Sequence, residues 1–596
     1  MLVVKKKTLI VIAAVCAVLA LVLLASYMLF KWRIIAWYLD LPRPAYAVTV
    51  DAGVMVPVRD GVKLAADLYR PDAPGKFPVI LIRTPYGKEN AAHKYSFAGG
   101  LFASQGYVVV VQDTRGKYAS EGTFYPYTDD ARDGYDTVEW AGTREWSTGA
   151  VGMYGFSYWG STQWIAAAER NAHLKAIVPI MTSQNIYRRW IYDGIFHIAD
   201  VLAWHYENAP RAGRSTDRVD WNKALRHLPL VEADNALGEN IPAYDDWITH
   251  PVPGPYWDRV NVDTKAGRMT APALIIDGWY DYYLDLAAAD YHRMRTAGGS
   301  PEARRSMLLI GPWTHTATSK FDDVNFGGGA SFMKQVKTII RWFDFHLKGK
   351  DDGISREKPV RYFVMGKNEW RDADEWPPRN ARQASWFLHS GGDANTAKGN
   401  GLLSPDAPGV EKPDMYTYDP DNPVPTVGGT SIYAGLRAGP ANQASVEARP
   451  DVLVYTTPPL DADTEVTGPV KLELYASSSA ADTDFSAQLA DVRPDGTSIN
   501  IKAAVVRARY RDSFENPALM EKGKAYRFTI EIGAVSNVFL KGHRIRLQVS
   551  SSNFPEFGRN LNSGEDTGKG VKVVKADQQV FHDRVRPSRM ILPVMP

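Results

Sequence analysis

The sequence predicts an α/β domain built on a largely parallel sheet, followed by an antiparallel β-sandwich and preceded by a single apolar helix. Three observations carry that prediction. Runs such as Val108-Val-Val-Val111 are apolar without alternation and are followed by helical stretches, the pattern of strands buried on both faces of a parallel sheet. Beyond Pro377-Pro378 the apolar spacing changes to period two, as in Val470-x-Leu472-x-Leu474, which marks strands with one buried face. At the amino end, Thr8 to Phe30 is a 23-residue run without a charge.

The apolar run would reach about 35 Å as a helix, enough to cross a hydrocarbon core of about 30 Å. It exceeds the ~7 to 15 apolar residues of a signal peptide and lacks a small-x-small end, so residues 1–45 read as an uncleaved transmembrane anchor and linker. Lys5-Lys-Lys7 outweighs Lys31 and Arg33, which by the positive-inside rule leaves the body extracytoplasmic, in a periplasmic setting. Trp32, Trp37 and Tyr38 are placed for an interfacial belt ahead of Leu41-Pro-Arg-Pro44. The only cysteine, Cys16, lies inside the run, so no intramolecular disulfide can form. Val15 before it makes a poor lipidation signal, and Cys16 reads as a small embedded hydrophobe.

At 596 residues the chain should hold several domains. An apolar share of 45% and a charged share of 23% describe an ordinary globular protein, and a net charge of +2 gives no reason to expect a nucleic-acid partner.

Residues 46–182 form the first part of the α/β domain, with strands at Val54–Val58, Leu64–Tyr69, Val79–Ile82 and Tyr107–Val111 separated by turns such as Arg59-Asp-Gly61. Asp129 to Ala141 is helical, with Tyr135 and Val138 on one face. Asp113 and Arg115 read as a structural ion pair. Residues 183–269 are an aromatic-rich helical insertion carrying Trp190, Trp204, Trp221, Trp247 and Trp257, positioned as a cap. His197, His205, His227 and His250 lack metal-ligand spacing, so no catalytic metal or other cofactor is expected. Strands resume at Ala273–Ile276 and Met307–Ile310, and a helix from Ser331 to Leu347 closes the domain over 270–380. The rest, 381–596, is β-sandwich after a loop-like stretch from Gly391 to Gly429.

The chemistry gathers at strand ends. Gly152-Met-Tyr-Gly-Phe-Ser157-Tyr-Trp-Gly160 reads as strand, serine, helix: a tight turn that exposes the Ser157 hydroxyl as a nucleophile. The second glycine stands one residue later than in G-x-S-x-G. Ala273-Leu-Ile-Ile-Asp-Gly-Trp-Tyr-Asp281 ends in an acid, and Met307-Leu-Leu-Ile-Gly-Pro-Trp-Thr-His315 ends in a base. Ser, Asp, His is the chain order of the α/β-hydrolase triad, with each residue at the carboxyl end of a strand. His346, in a helical pattern, is the alternative base.

At these residues the chain resembles the cocaine esterase and X-prolyl dipeptidyl-peptidase-like hydrolases, which include glutaryl acylases and α-amino acid ester hydrolases. The resemblance rests on Gly155-Phe-Ser-Tyr-Trp-Gly-Ser-Thr-Gln-Trp164, Gly278-Trp-Tyr-Asp281 and Gly311-Pro-Trp-Thr-His315, and on Arg83-Thr-Pro-Tyr-Gly-Lys88, Asp113-Thr-Arg-Gly116, Trp342-Phe-Asp-Phe-His-Leu-Lys-Gly349 and His389-Ser-Gly-Gly-Asp-Ala-Asn-Thr396. It implies that the Tyr86 hydroxyl and the Tyr158 backbone N–H form an oxyanion hole, that the second glycine is displaced, and that the sandwich is a jelly roll. The expected function is a serine hydrolase that cleaves a small-molecule acyl ester or amide through an acyl-enzyme. The alternatives are an X-prolyl dipeptidyl-peptidase and a catalytically silent scaffold that binds glycan or protein.

Overall fold

The computed structural model describes residues 2–192 and 194–596, the side chains of 2–8 and 20–29 excepted. Its first element is the helix α1 (Leu2–Tyr38). The end of α1 is docked on the body: the Trp32 ring lies 5.9 Å from that of Phe97, and Ala36 and Leu39 are buried. Trp37 and Tyr38 face outward, 82% and 77% exposed. Among the described residues no helix is long and apolar enough to cross a membrane. The expected transmembrane anchor is unsupported there, and much of it, residues 8 and 20–29, falls on side chains outside the description.

The α/β domain forms around one sheet. Its elements run β1 (Val48–Pro57), β2 (Lys63–Pro71), β3 (Phe77–Thr84), α2 (Tyr95–Ser104), β4 (Val108–Asp113), α3 (Asp130–Gly142), β5 (Ser147–Phe156), α4 (Ser157–Ala167) and β6 (Leu174–Ile180). The sheet continues, after an excursion, with β9 (Leu274–Tyr280), β10 (Met307–Thr314), β11 (Val360–Val364) and β12 (Glu369–Ala373). Among the described residues it has ten strands, in the order β1-β2-β4-β3-β5-β6-β9-β10-β11-β12. From β4 to β11 neighbouring strands are parallel, and the antiparallel pairs lie at the two margins. Every residue of β4 and of β9 is buried, as continuous apolar runs between two helical layers require. The carboxyl ends of β3, β5, β6, β9 and β10 therefore line one edge of the sheet.

The excursion after β6 is the cap. It holds α5 (Ile186–Trp190), a two-stranded ribbon of β7 (Ile191–Tyr192) and β8 (Ile195–Phe196), α6 (Ile198–Asn208), α7 (Trp221–Leu225), α8 (Pro242–Thr249) and α9 (Pro255–Asp258). Trp190, Trp204, Trp247 and Trp257 pack together as its core, with successive ring centroids 5.2 to 6.4 Å apart. Two ties fix α6 at its ends. Lys117 Nζ donates to the carbonyls of Asn208 (2.7 Å) and Pro210 (2.6 Å). At the other end the Ala199 N–H donates to the Pro555 carbonyl (3.1 Å), and Asp200 accepts from the Ser431 hydroxyl of the C-terminal domain.

The α/β domain closes with α10 (Leu284–Ala297) and α11 (Val336–Lys348). From Arg382–His389 to Arg589–Val594 the chain is mostly strands, joined in one eleven-stranded hydrogen-bonded set. The stretch read as loop, 391–429, contains two short strands, Leu402–Ser404 and Asp414–Tyr418. Three to five residues between glycines and prolines carry too little period to be recognised. Asp414–Tyr418 serves a clamp: His582, fully buried, reaches Glu411 (2.9 Å) and Asp414 (2.9 Å) through its two ring nitrogens, and His389 reaches Glu411 (2.8 Å). The motif that starts at His389 is thereby accounted for by structure.

One pairing is corrected. Arg115 does not pair with Asp113; its guanidinium meets Asp133 (2.6 Å) and Asp60 (2.9 Å). Asp113 ends β4 and turns its carboxylate to the Lys88 N–H (2.6 Å), so it braces the loop that carries Tyr86.

Candidate active site

Ser157 sits at the junction of β5 and α4 with φ +52°, a left-handed conformation that a non-glycine residue adopts at a cost. The flanking glycines explain why the turn can be so tight. A Cβ at Gly155 would stand 2.3 Å from the Trp159 carbonyl oxygen, and one at Gly160 would stand 2.6 Å from the Thr182 side chain. The second glycine is needed at 160 because that is where α4 crosses the end of β6. Ser157 keeps part of its surface accessible, while its helix is otherwise buried.

Asp281 and His315, which follow β9 and β10, meet. His315 Nδ1 lies 2.7 Å from Asp281 Oδ2, and both side chains are buried, Asp281 completely. The other carboxylate oxygen of Asp281 accepts the Tyr283 N–H at 2.7 Å, which fixes the rotamer. An ionised carboxylate only accepts, so the imidazole carries its hydrogen on Nδ1 and leaves Nε2 with a lone pair. Asp277, on the same strand, is also fully buried, and among the described residues its Oδ2 has no hydrogen-bond partner. Burial, and then the charge of Asp281, hold its carboxyl well above the usual range.

Tyr86 follows β3. Its N–H donates to Thr84 Oγ1 (3.1 Å), its carbonyl accepts from Asn90 Nδ2 (3.1 Å), and His93 stacks on its ring with centroids 4.7 Å apart. The phenol oxygen accepts from the indole N–H of Trp204 in the cap (3.1 Å), and the Ser157 hydroxyl lies beside it. Burial raises the phenol to about 12, so it remains an O–H donor at neutral pH. The Tyr158 side chain is turned away: its hydroxyl donates to Asp130 (2.8 Å) and accepts from the Tyr127 N–H (2.7 Å). Its backbone N–H belongs to the first turn of α4, where N–H groups lack intrahelical acceptors.

His346 lies elsewhere. Its ring meets that of Trp342 edge-on at 4.2 Å, and it lines a cleft with Arg170, Lys175 and Thr270, at the amino-terminal edge of the sheet. Burial lowers it to about 4.

Sequence reasoning missed two neighbours of the site. Trp204 was one aromatic among many in the cap, and only the fold reveals that its N–H reaches Tyr86. Arg189, 1% exposed, pairs with Asp200 (3.0 Å) and lies 3.3 Å from the centre of the Tyr282 ring, which in turn lies 4.4 Å from that of His315. Among the described residues no group of three or more His, Cys, Asp or Glu is placed to hold a metal ion.

Comparison with known proteins places this geometry among relatives. Residues 60–317 match the model of the X-Pro dipeptidyl-peptidase (S15 family), and residues 352–591 match that of the X-Pro dipeptidyl-peptidase C-terminal non-catalytic domain. The chain is 40% identical over 573 residues to cocaine esterase of Rhodococcus sp. (strain MB1 Bresler), an alignment covering 92% of this chain and 99% of the relative. Among solved structures it is similar to an α-amino acid ester hydrolase (TM-score 0.80, 26% identity, covering 93% of this chain and 98% of the other). It is equally similar to an aminopeptidase from a marine sediment archaeon, Thaumarchaeota archaeon (TM-score 0.81, 25% identity, with the same coverage).

Proposed function

The chain belongs to the X-Pro dipeptidyl-peptidase (S15) family that includes cocaine esterase, and from that premise we propose that it cleaves small acyl esters through an acyl-enzyme on Ser157. The observation that carries this reading is the buried His315–Asp281 hydrogen bond at the strand edge where Ser157 stands. Ser157 attacks the carbonyl carbon, and His315 Nε2 takes the hydroxyl proton and returns it to the leaving oxygen. Asp281 orients the imidazole and stabilises the imidazolium. The Tyr86 O–H and the Tyr158 N–H donate to the oxygen that becomes negative in the tetrahedral intermediate. Residues 381–596, read as a jelly roll by the family likeness, support the site without supplying a reacting group. A fluorophosphonate probe tests the assignment: the expected result is one stable adduct on the Ser157 peptide, and the absence of an adduct in active protein would refute it.

The acyl side should not demand an amine. In α-amino acid ester hydrolases the family pattern puts carboxylates two and three positions after the triad acid, and here those positions are the buried Tyr283 and Leu284. Asp285 follows, but its carboxylate accepts from the Ala534 N–H (2.6 Å) and pairs with Lys502 (3.2 Å), so it is committed to the C-terminal domain. Arg189 lies over the rings of Tyr282 and Tyr283, so a substrate ammonium placed against them would meet a like charge. A simple acyl ester should be cleaved at least as efficiently as its α-amino counterpart. A preference of ~100-fold in kcat/KM for the amino ester, about 2.7 kcal/mol, would overturn this and revive the X-prolyl peptidase alternative.

The membrane anchor rests on sequence alone, on Lys5-Lys-Lys7 and the uncharged run after it. With the amino end in the cytoplasm, protease added to spheroplasts should digest the body. Protection until the membrane is lysed would reverse the orientation, and recovery of the intact full-length chain in the soluble fraction would remove the anchor.

A further inference from the structure

We infer that Trp204 is a positioning residue for catalysis: its indole N–H, supplied by the cap, forces the Tyr86 hydroxyl to aim its hydrogen at the reacting oxygen. The inference rests on the proposed role of Tyr86 and deepens it.

A tyrosine hydroxyl has one hydrogen and can both donate and accept, so its direction is open until a neighbour decides it. Indole nitrogen only donates. At 3.1 Å from Tyr86, Trp204 Nε1 therefore fixes the phenol oxygen as acceptor on the cap side and leaves its O–H to point away from that donor. Without that donor, nothing on the cap side would oppose the O–H turning toward it. The Tyr86 ring itself cannot swing, because His93 stacks on it in a nearly parallel plane (7°) and both its backbone N–H and its carbonyl are bonded. What remains to be set is the hydroxyl torsion, and Trp204 sets it.

Trp204 is held in turn. Its ring stacks on Tyr158 at 5.9 Å and 10°, and packs with Trp190 at 5.3 Å and Trp247 at 6.4 Å. Its helix, α6, is pinned at the start by the C-terminal domain through Ser431 to Asp200 and Pro555 to Ala199. Arg189 and Glu207 act on Tyr86 by charge, beside the titratable His93, Tyr95, Tyr127, Tyr283 and Tyr433, and Glu207 lies one turn from Trp204 on α6. A shift of α6 would thus change both the hydrogen-bond direction and the local field. The oxyanion donor is assembled from three parts of the chain: Tyr86 from the sheet, Trp204 from the cap, and the anchorage of α6 from the C-terminal domain. The last part gives a domain without reacting groups a role in turnover.

The test is a double-mutant cycle on a neutral 4-nitrophenyl ester with Trp204→Phe and Tyr86→Phe, read as kcat and KM separately. Phenylalanine keeps an aromatic ring but removes the donor together with part of the indole volume, and the volume loss is common to both backgrounds of the cycle. Trp204→Phe should lower kcat ~10-fold or more with KM within ~3-fold, and should cost under ~3-fold when Tyr86 is already phenylalanine. Ser431→Ala, which removes the hydrogen bond to Asp200 at the start of α6, should lower kcat several-fold in the wild type and leave Tyr86→Phe unchanged; it serves alone if Trp204→Phe does not fold. Equal losses in both backgrounds would mean that Trp204 is structural only, and an unchanged kcat in Trp204→Phe would overturn the inference directly. If Tyr86→Phe itself were fully active, the oxyanion assignment would fail first, and the two failures are distinguishable.

Discussion

Ser157→Ala and His315→Ala are each expected to lower turnover by up to ~10⁶-fold, and the double variant to lose little more than either single one. The reason is that nucleophile and base act as one unit. Without the hydroxyl there is no acyl-enzyme, and without the imidazole the hydroxyl stays protonated and weakly nucleophilic. Asp281→Asn should cost less, ~10⁴-fold, because the amide can hold the ring only in the wrong tautomer while leaving the residues otherwise in place. The structure makes the comparison clean. Asp281 is anchored by the Tyr283 N–H as well as by His315, so the Asn variant can keep its rotamer. Burial first, and then the charge of Asp281, raise the Asp277 carboxyl, so removing that charge lessens the second cause. Measurement of kcat on a 4-nitrophenyl ester, with Ser157→Ala as the baseline, checks all three. Wild-type turnover in Ser157→Ala would refute the nucleophile, and additive losses in the double variant would refute the unit.

The parts of this site that were legible in the sequence share one property: the backbone dictates them. A strand that must end where a helix begins needs glycine at 155 and 160, because side-chain atoms there would overlap Trp159 and Thr182. Runs buried on both faces announce β4 and β9 through composition alone, and their ends mark where Asp113 and Asp281 stand. The illegible parts are contacts between elements far apart in the chain. Trp204 and Tyr86 are 118 residues apart, and nothing local distinguishes this tryptophan from Trp247. Arg115 and Asp113 are close in sequence but lie on a chain that is turning, so the guanidinium finds Asp133 of α3 instead. Short strands such as Asp414–Tyr418 exist because His582 and Tyr455 reach Asp414 from other strands, a reason no five-residue window contains.

Tyr86→Phe is expected to lower kcat ~10² to 10³-fold with little change in KM, the scale of one lost oxyanion donor. In the proposed mechanism the donor is strong for three reasons. The phenol is buried and raised to about 12, so it holds its proton across the neutral range, and the loss should not vary with pH there. Its oxygen already accepts from Trp204, and a hydroxyl that accepts one hydrogen bond is polarised to donate another more strongly. Its ring is clamped by His93, so no reorganisation is needed as charge develops. The ground-state carbonyl gains less from the same donor than the tetrahedral oxyanion does, which is why the effect belongs in kcat. The variant leaves the indole N–H of Trp204 without its acceptor, a buried cost that falls on stability and not on turnover. Thermal unfolding of Tyr86→Phe should therefore show a lower Tm alongside the kinetic loss. A KM effect as large as the kcat effect would move Tyr86 from the oxyanion to ground-state binding, and an unchanged kcat would leave the Tyr158 N–H and the rest of the helix end to stabilise the oxyanion without it.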